Sequence, residues 1–266
     1  MSAWLFVPGH RPERFDKALA AGANHVIVDL EDAVAPADKD TARAALVQWL
    51  AGTTARVAVR VNAADTAWFA DDLRALASPA VGAVMLPKAE DPQVLAAIAG
   101  QRPDVALVPL VESAAGIANA RALAAMPGVQ WLAFGSIDFQ VDLRMRDATE
   151  DELLPFRAEL VLASRLADIA APLDGVTTAI DDAERLAADV QRARRLGFGG
   201  KLCIHPKQVA PVRAGFAPSA AERAWAERVL AAAAASAGAA VALDGKMVDR
   251  PVILRAQAIL RDATAP

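Results

Sequence analysis

Residues 82–112 have the sequence GAVMLPKAEDPQVLAAIAGQRPDVALVPLVE, and this stretch contains one complete unit of the predicted fold. Two nearly continuous apolar runs, Gly82–Lys88 and Ala106–Glu112, are typical of parallel strands that are buried on both faces. Between them, Gln93–Ala99 has helical periodicity, and Asp91 is placed to cap the first turn of that helix. The stretch therefore predicts a strand, a helix and a second strand parallel to the first.

The same alternation of strand and helix continues along most of the chain. Eight uninterrupted β/α units are what a closed barrel requires, so we predict an α/β fold, a (β/α)8 TIM barrel. The competing architecture is a doubly wound open sheet, which usually has a glycine-rich phosphate loop after its first strand, and no such loop follows here. The predicted strands are Ala3–Val7, His25–Glu31, Arg56–Asn62, Gly82–Lys88, Ala106–Glu112, Trp131–Asp138, Leu173–Thr178 and Lys201–His205.

After the eighth unit the chain continues beyond what a barrel needs. An alanine-rich helix is predicted near Ala220–Ala237, and Asp244–Pro251 has the turn-forming residues of a lid or connector. We therefore predict two parts: a catalytic barrel at residues 1–238 and a C-terminal helical extension or lid at residues 239–266.

The composition limits the classes of function. Of 266 residues, 55% are hydrophobic, and the formal net charge is −4 with both signs interspersed, which argues against a nucleic-acid-binding surface. The single cysteine, Cys203, cannot form an internal disulfide and is expected to be a buried, inert thiol. No apolar stretch is long enough to cross a membrane, and the N-terminus lacks the pattern of a signal peptide, so a cytoplasmic location is expected.

Charged residues end several of the predicted strands, where the catalytic side chains of barrel enzymes lie. Glu112 and Asp138 are predicted to end the fifth and sixth strands, which are neighbours, so their carboxylates can converge on one point. Two carboxylates with water at the remaining positions suit Mg²⁺, and no cluster of Cys or His favours zinc. The alternative is that either acid pairs with Arg60 or Lys88 as part of the structure of the barrel mouth.

Arg60 ends the third predicted strand, where its planar guanidinium group can hold a carboxylate through two parallel hydrogen bonds. The same group can also be a counter-ion for a neighbouring acid, and the two roles are compatible. An imine-forming role for Lys88 is disfavoured because the nearby carboxylates would keep its ammonium group charged. Glu31 and Asp32 are expected to accept hydrogen bonds from the waters on the metal and to orient Arg60 or Lys88. His205 can be a base but is favoured as a hydrogen-bonding wall residue, and Lys88 is expected to be structural or electrostatic. All polar strand ends of this supporting group are Asp29, Glu31, Asp32, Lys88 and His205.

A set of short motifs follows the strand ends in order: Leu5–Gly9 (LFVPG), Val28–Val34 (VDLEDAV), Val59–Asn62 (VRVN), Leu86–Lys88 (LPK), Val111–Ser113 (VES), Phe134–Asp138 (FGSID), Ile204–Pro206 (IHP) and Gly245–Asp249 (GKMVD). In these motifs the chain resembles the citrate lyase β-subunit-like proteins of the HpcH/HpaI aldolase/citrate lyase family, which are related to malyl-CoA and citramalyl-CoA lyases. The resemblance covers nearly the full length and is more specific for the family than for the substrate.

The resemblance implies a lyase that uses Mg²⁺, bound by Glu112 and Asp138, to break a carbon–carbon bond in a β-hydroxyacyl thioester. It implies that Arg60, Glu112 and Asp249 are the catalytic residues, and that Arg60 and Glu112 also bind the substrate. Asp249 would lie on a lid supplied by a neighbouring subunit, so a homo-oligomer, a trimer or hexamer, is expected. Contacts near the CoA or acyl-carrier arm are implied for Phe6, Pro8, Arg11 and Lys17.

Several functional alternatives stay open at this point. The hydroxyacyl group can be of the citramalyl, malyl or citryl type, and it can be carried by CoA or by an acyl carrier. The same site can also suit hydrolysis of the thioester or a metal-dependent aldolase reaction without a thioester. A non-catalytic, carrier-binding subunit is less favoured, because such a protein has no need for so many charged strand ends.

Overall fold

The structure is a computed structural model that describes residues 2–235 and 241–264. Eight parallel strands close into a barrel in chain order, from β1 next to β2 round to β8 next to β1. The predicted TIM barrel is therefore confirmed. The strands are β1 (Ala3–Pro8), β2 (His25–Asp29), β3 (Val57–Arg60), β4 (Val81–Leu86), β5 (Ala106–Val111), β6 (Ala133–Phe134), β7 (Leu173–Asp174) and β8 (Gly200–Cys203).

Helices separate consecutive barrel strands along the chain, and further helices follow β8. They are α1 (Phe15–Ala20), α2 (Lys39–Leu50), α3 (Phe69–Ala75), α4 (Pro92–Gln101), α5 (Ala114–Ala118), α6 (Ala120–Ala124), α7 (Ser136–Asp142), α8 (Leu154–Leu166), α9 (Ala183–Leu196), α10 (Pro206–Phe216), α11 (Ala220–Ala235) and α12 (Arg250–Thr264). The Asp91 carboxylate accepts a hydrogen bond from Gln93 N at 2.8 Å, so the predicted cap of α4 is confirmed.

Two strands are shorter than the sequence predicts. The apolar runs predicted strands at Trp131–Asp138 and Leu173–Thr178, but β6 and β7 contain two residues each. In the first case the chain leaves the sheet at Gly135 and begins α7 at Ser136. Periodicity cannot separate a buried strand from the apolar start of a buried helix, so the apolar run at Trp131–Asp138 predicts a single strand where the structure has a strand and a helix.

Side chains that point into the barrel fill its interior. Leu173, for example, is fully buried on the inner side of β7, whereas the next residue, Asp174, contacts Arg157 of α8. The two differ because successive side chains of a strand point to opposite faces of the sheet. The interior cluster comprises Trp4, Ile27, Ala58, Ala83, Met85, Ala106, Val108, Leu110, Trp131, Ala133, Leu173 and Leu202.

Contacts within the chain define two compact units, Ser2–Arg213 and Ala214–Pro266. The second unit contains α11, α12 and a hairpin of β9 (Val241–Leu243) and β10 (Lys246–Val248), and these elements share a small apolar core. The hairpin turns at Asp244–Gly245, where both residues have positive φ, as a two-residue type I′ turn requires. The predicted boundary between residues 238 and 239 lies outside the described residues.

Within the part of the chain that the structure describes, we find no helix with the length and apolar character needed to cross a bilayer.

Candidate active site

A cavity of about 390 Å³ opens at the carboxyl ends of the barrel strands. This is the end at which TIM-barrel enzymes place their reacting groups, and the volume suits a small organic substrate. Its lining residues are Phe6, Pro8, Asp29, Asp32, Ala33, Arg60, Leu110, Glu112, Phe134, Gly135, Ser136, Ile137, Asp138, Val176, Leu202 and Ile204.

Arg60, the last residue of β3, is held by acids from the end of β2 and the loop after it. Its Nε and Nη2 donate to the two carboxylate oxygens of Asp29 at 2.7 and 2.6 Å, which is a two-point pair. Its Nη1 lies 2.9 Å from Glu31 Oε2 and 3.7 Å from Asp32 Oδ2. The guanidinium plane is therefore fixed at the cavity wall before any ligand binds.

The Asp29 carboxylate has a second structural task. It also accepts hydrogen bonds from Glu31 N at 2.9 Å and Ala33 N at 3.1 Å, so both of its oxygens have two donors. Lys39 of α2 also stabilises the loop after β2, because its buried Nζ donates to the carbonyl oxygens of Leu30 and Glu31, each at 2.8 Å. Together these contacts position Glu31 against Arg60.

Burial and neighbouring charges shift the pKa values of Arg60 and Glu31. Burial alone would lower the pKa of Arg60, but the charges and hydrogen bonds of Asp29, with Glu31 and Asp32 nearby, raise it well above its usual range. Arg60 is therefore a permanent cation. Burial raises the pKa of Glu31 to about 7, against the opposing effect of the Arg60 charge.

Glu112 follows β5 and is 4% exposed. Its Oε1 accepts a hydrogen bond from the backbone N of Lys88 at 2.8 Å, and no described residue donates to its Oε2. Burial, with the negative charges of Glu31 and Asp138 adding to it, raises the pKa of Glu112 to about 8, although the Lys88 hydrogen bond acts in the other direction. The protein alone does not stabilise the charged form of this acid.

Gly135 lies directly against Glu112. A Cβ atom at this position would stand well under 3.0 Å from Glu112 Oε2 and Cβ, a separation that real Cβ atoms do not show. Glycine is therefore required by close approach, because any side chain would displace the carboxylate.

Asp138 does not end a strand, and this part of the sequence prediction is wrong. It lies in the first turn of α7, two residues after the helix begins at Ser136. Its side chain is exposed, lines the same cavity as Glu112 and forms no ion pair with any described residue. The short β6 ends at Phe134, and the tight turn at Gly135 brings Asp138 to the cavity from the helix instead.

The two acids meet the requirements of a hard divalent cation that keeps part of its water shell. Neither Glu112 nor Asp138 forms an ion pair with a described lysine or arginine, and both line the cavity. Among the described residues there is no group of three or more His, Cys, Asp and Glu side chains placed to enclose a metal. A site with two carboxylates and several waters is typical of Mg²⁺ rather than of zinc.

The residues expected near the thioester arm separate into two groups. Phe6 and Pro8 line the cavity, and the ring of Phe6 lies 4.8 Å from Arg60 Cζ in a cation–π contact. Arg11 pairs with Glu13 at 2.6 Å, and Lys17 is exposed on α1. The two cations are not among the residues that line the cavity.

Lys88 and His205 also lie outside the cavity lining. The side chain of Lys88 is exposed, and its backbone has a positive φ of 47°. The residue contributes to the site through its backbone N–H group, which donates to Glu112 Oε1. Nδ1 of His205 accepts a hydrogen bond from Lys207 N at 3.2 Å. No lysine is found among the described residues that line the cavity, which leaves an imine mechanism without an amine.

Cys203 and Asp249 have separate structural roles in the two units of the chain. Cys203 is fully buried, as expected, and burial raises the pKa of its thiol to about 12, so it is not a nucleophile at neutral pH. Asp249 lies in the second unit at the start of α12, where its Oδ1 accepts a hydrogen bond from Val252 N at 3.3 Å. Any role that this acid has in catalysis is added to its role as a helix cap.

The sequence pattern gives no signal that Lys39 and Gly135 belong to the site. A lysine in the first turn of a helix is normally a solvent-exposed residue, and nothing in the spacing of α2 marks this one as buried. Gly135 stands within a motif that was noted, but only the packing of β6 against β5 shows why the residue has no side chain.

A closed eight-stranded barrel whose charged side chains gather at the carboxyl ends of the strands defines a TIM-barrel protein of the enzymatic type. The profile of the HpcH/HpaI aldolase/citrate lyase family matches residues 2–206. The chain belongs to this family.

Three relatives illustrate the range of the family. The chain is 42% identical over 270 residues to a citrate lyase subunit beta-like protein of Mycobacterium tuberculosis, with 98% of this chain and 94% of that one covered. It is 36% identical over 268 residues to a (3S)-malyl-CoA thioesterase of Cereibacter sphaeroides, with the same two shares covered. The crystal structure of CitE from M. tuberculosis in complex with magnesium, acetoacetate and coenzyme A has a TM-score of 0.89 and 39% identity, covering 99% of this chain and 98% of that one.

Proposed function

We propose that this protein is a Mg²⁺-dependent lyase that breaks a carbon–carbon bond in a β-hydroxyacyl thioester bearing a carboxylate. The observation that carries the proposal is the pair of acids without a protein cation, Glu112 and Asp138, at the same cavity as the fixed guanidinium group of Arg60. Membership of a family that includes citrate lyase β subunits supports the reaction type.

Glu112 and Asp138 would bind the metal ion. The presence of magnesium in the related CitE structure supports this assignment, as does the raised pKa of Glu112, because a dication beside that carboxylate would restore its charged form. When bound, Mg²⁺ supplies Lewis-acid stabilisation of negative charge on the substrate oxygen atoms, an effect worth several kcal/mol.

Arg60 would bind the carboxylate of the substrate. A guanidinium group has five N–H donors, and three of its nitrogen atoms already contact Asp29 and Glu31. One N–H on each of Nη1 and Nη2 remains for a ligand. Because the protein acids hold the guanidinium plane in place, little rotamer entropy is lost when the substrate binds.

The reaction then follows from the arrangement of the bound substrate. The hydroxyl group loses its proton to solvent as its C=O bond forms, the bond between the carbinol carbon and the acyl α-carbon breaks, and the electron pair of that bond moves into the thioester as an enolate. A proton from Asp249 completes the acetyl thioester, and the keto or aldehyde acid is the second product. Proton transfer by a placed side chain contributes about 10²–10⁴-fold to such a rate.

The thioester is proposed to be carried by CoA or by an acyl carrier. Coenzyme A in the CitE complex supports the first, and an acyl carrier is the alternative. M. tuberculosis CitE is found in complex with magnesium and pyruvate, and a citrate lyase beta subunit of the same organism with oxaloacetate and magnesium. Keto acids of both kinds are therefore candidates for the second product. A homo-oligomer, a trimer or hexamer in which the lid acts on a neighbouring subunit, is part of the proposal.

Thioester hydrolysis is the second candidate, because the chain is 36% identical to (3S)-malyl-CoA thioesterases over 98% of its length. The experiment incubates the protein with malyl-CoA, citramalyl-CoA and citryl-CoA at millimolar Mg²⁺ and follows the products by mass spectrometry. Release of acetyl-CoA with a keto or aldehyde acid supports the lyase, whereas free CoA with the intact hydroxy acid identifies the hydrolase. A protein with an Arg60→Lys substitution is the control for background cleavage.

A further inference from the structure

Another cavity, of about 260 Å³, lies at the amino ends of the barrel strands, opposite the candidate active site. Its lining comes from the beginnings of β2, β3, β4 and β5 and from residues shortly before β3, β5 and β6. The reacting groups of barrel enzymes lie at the other end, so a ligand in this cavity has a role other than that of the substrate. The lining residues are His25, Arg56, Val57, Gly82, Ala83, Asp104, Ala106, Gln130 and Trp131.

Arg56 supplies an unpaired positive charge to this cavity. It is the single lysine or arginine among the described residues of the lining, and it forms no hydrogen bond or ion pair with any described residue. Its side chain lies over Gly82, where an added Cβ atom would stand 3.1 Å from Arg56 Nε and 3.6 Å from Cζ. The lack of a side chain at Gly82 therefore leaves room for the guanidinium group at the cavity wall.

Asp104, the acid of the lining, is already neutralised. Its two carboxylate oxygens accept hydrogen bonds from Nε and Nη2 of Arg102, each at 2.8 Å, and this two-point pair lowers the pKa of Asp104 to about 2. Nη1 of Arg102 is buried and has no hydrogen-bond partner among the described residues. Two guanidinium groups therefore accompany one carboxylate, and the local charge favours an anionic ligand.

Aromatic rings form part of the remaining wall. His25 and Trp131 have ring centroids 5.7 Å apart with an interplanar angle of 61°. Trp4 stacks on His25 at 4.0 Å between centroids, and its buried Nε1 has no hydrogen-bond partner among the described residues. Burial lowers the pKa of His25 to about 4, so at neutral pH its imidazole presents an uncharged ring with one N–H donor.

We propose that this cavity binds a small monocarboxylate with a flat apolar body, the class that includes the arenecarboxylates. Arg56 would pair with the carboxylate, and the rings of His25 and Trp131 would pack against the body of the ligand in stacked or edge-to-face contacts. Pockets for drug-sized ligands have volumes of roughly 300–1,000 Å³, so this smaller cavity suits a single ring and not a CoA thioester. Binding here requires neither Mg²⁺ nor the proposed lyase reaction.

The test uses benzoate as the probe and the full chain as the protein. An NMR titration follows the Cε1 protons of the three histidines, His10, His25 and His205, with the His25 signal assigned by comparison with a His25→Gln protein. Benzoate should shift the His25 signal with a Kd of about 1 mM or below. His205 follows β8 at the other end of the barrel, so its signal reports on binding near the candidate active site.

Two comparisons test the role of the charge. Arg56→Gln should weaken benzoate binding by at least about tenfold, because the charge-assisted pair with the carboxylate is lost. Arg74→Gln, on the exposed side of α3 where Arg74 pairs with Asp71, makes the same change in net charge and should bind benzoate as the wild type does. Benzamide, which has nearly the same shape without the charge, should bind to the wild type at least about tenfold more weakly than benzoate.

Several results would overturn the proposal. These are a smaller loss of affinity in Arg56→Gln or with benzamide, an equal loss in Arg74→Gln, a shift confined to the His205 signal, and an unchanged His25 signal at about 10 mM benzoate. Because the titration needs no catalytic turnover, its outcome is independent of whether any thioester is cleaved.

Discussion

Replacing Glu112 by glutamine should change how the stability of the metal-free protein depends on pH. The folded state raises the pKa of Glu112 from 4.5 to about 8, mainly through burial. The folded protein therefore binds this proton more tightly than the unfolded chain, and its stability falls as the pH rises from about 4.5 to about 8. One pKa unit corresponds to about 1.4 kcal/mol, so the full shift corresponds to about 5 kcal/mol.

Glutamine has nearly the same shape as glutamate and can still accept the hydrogen bond from Lys88 N. Because it does not titrate, Glu112→Gln should remove this loss of stability. Glu31, whose pKa burial raises to about 7, contributes a loss with the same sign and remains in both proteins. The difference between the two proteins, rather than either curve alone, therefore reports on Glu112.

The assay is urea unfolding at several pH values from 5 to 9 in a chelating buffer, repeated with millimolar Mg²⁺. The free energy of unfolding of the wild-type protein should fall by several kcal/mol more than that of Glu112→Gln across this range, and Mg²⁺ should restore it in the wild type alone. Glu184→Gln, on the exposed face of α9, makes the same change in net charge and should behave as the wild type. Parallel pH curves for the wild type and Glu112→Gln, or equal stabilisation by Mg²⁺, would refute the reasoning.

Four further substitutions test other parts of the site. Gly135→Ala should displace Glu112, abolish stabilisation by Mg²⁺ and cost about 1–3 kcal/mol in urea unfolding, whereas Gly100→Ala, with open space around its Cβ inside α4, should add about 0.5–1 kcal/mol. Arg60→Lys should lower kcat/KM by at least about 100-fold, since an ammonium group cannot make the two-point contact; a smaller loss argues against substrate binding by Arg60. Lys39→Met should cost at least about 2 kcal/mol because two buried carbonyl groups lose their donor, and unchanged urea curves would contradict this. Asp249→Asn keeps a cap for α12 but no acid, so kcat should fall by about 10²–10⁴-fold with Mg²⁺ stabilisation intact, and normal turnover would remove Asp249 from the mechanism.

Much of the candidate site could be predicted because barrel enzymes gather their polar groups at strand ends. Glu112 and Arg60 were found in this way, each as the charged end of an apolar run. Asp138 lines the predicted cavity, but it belongs to α7 and not to the end of the sixth strand. Its apolar neighbours continue from a strand into a helix without a change in pattern. The pairing of Arg60 with Asp29 and Glu31 was foreseen as one of its two roles, but its geometry was not.

The amino-acid sequence by itself determined the number of barrel strands, the closed barrel and the charged strand ends Arg60 and Glu112. These features depend on the local alternation of apolar runs and amphipathic helices, and each run is visible within a few residues. The same local information accounts for the hairpin turn at Asp244–Gly245, whose residues suit positive φ.

Only the tertiary structure decided which charges neutralise one another. Asp29 and Arg60 are separated by 31 residues, and Glu112 receives its hydrogen bond from a backbone group 24 residues away. Closure of the barrel brings these groups together and leaves Glu112 at the cavity without an ion pair to any described residue. Burial and pairing set the charge of each group, and both are properties of the packed barrel rather than of any segment of the chain.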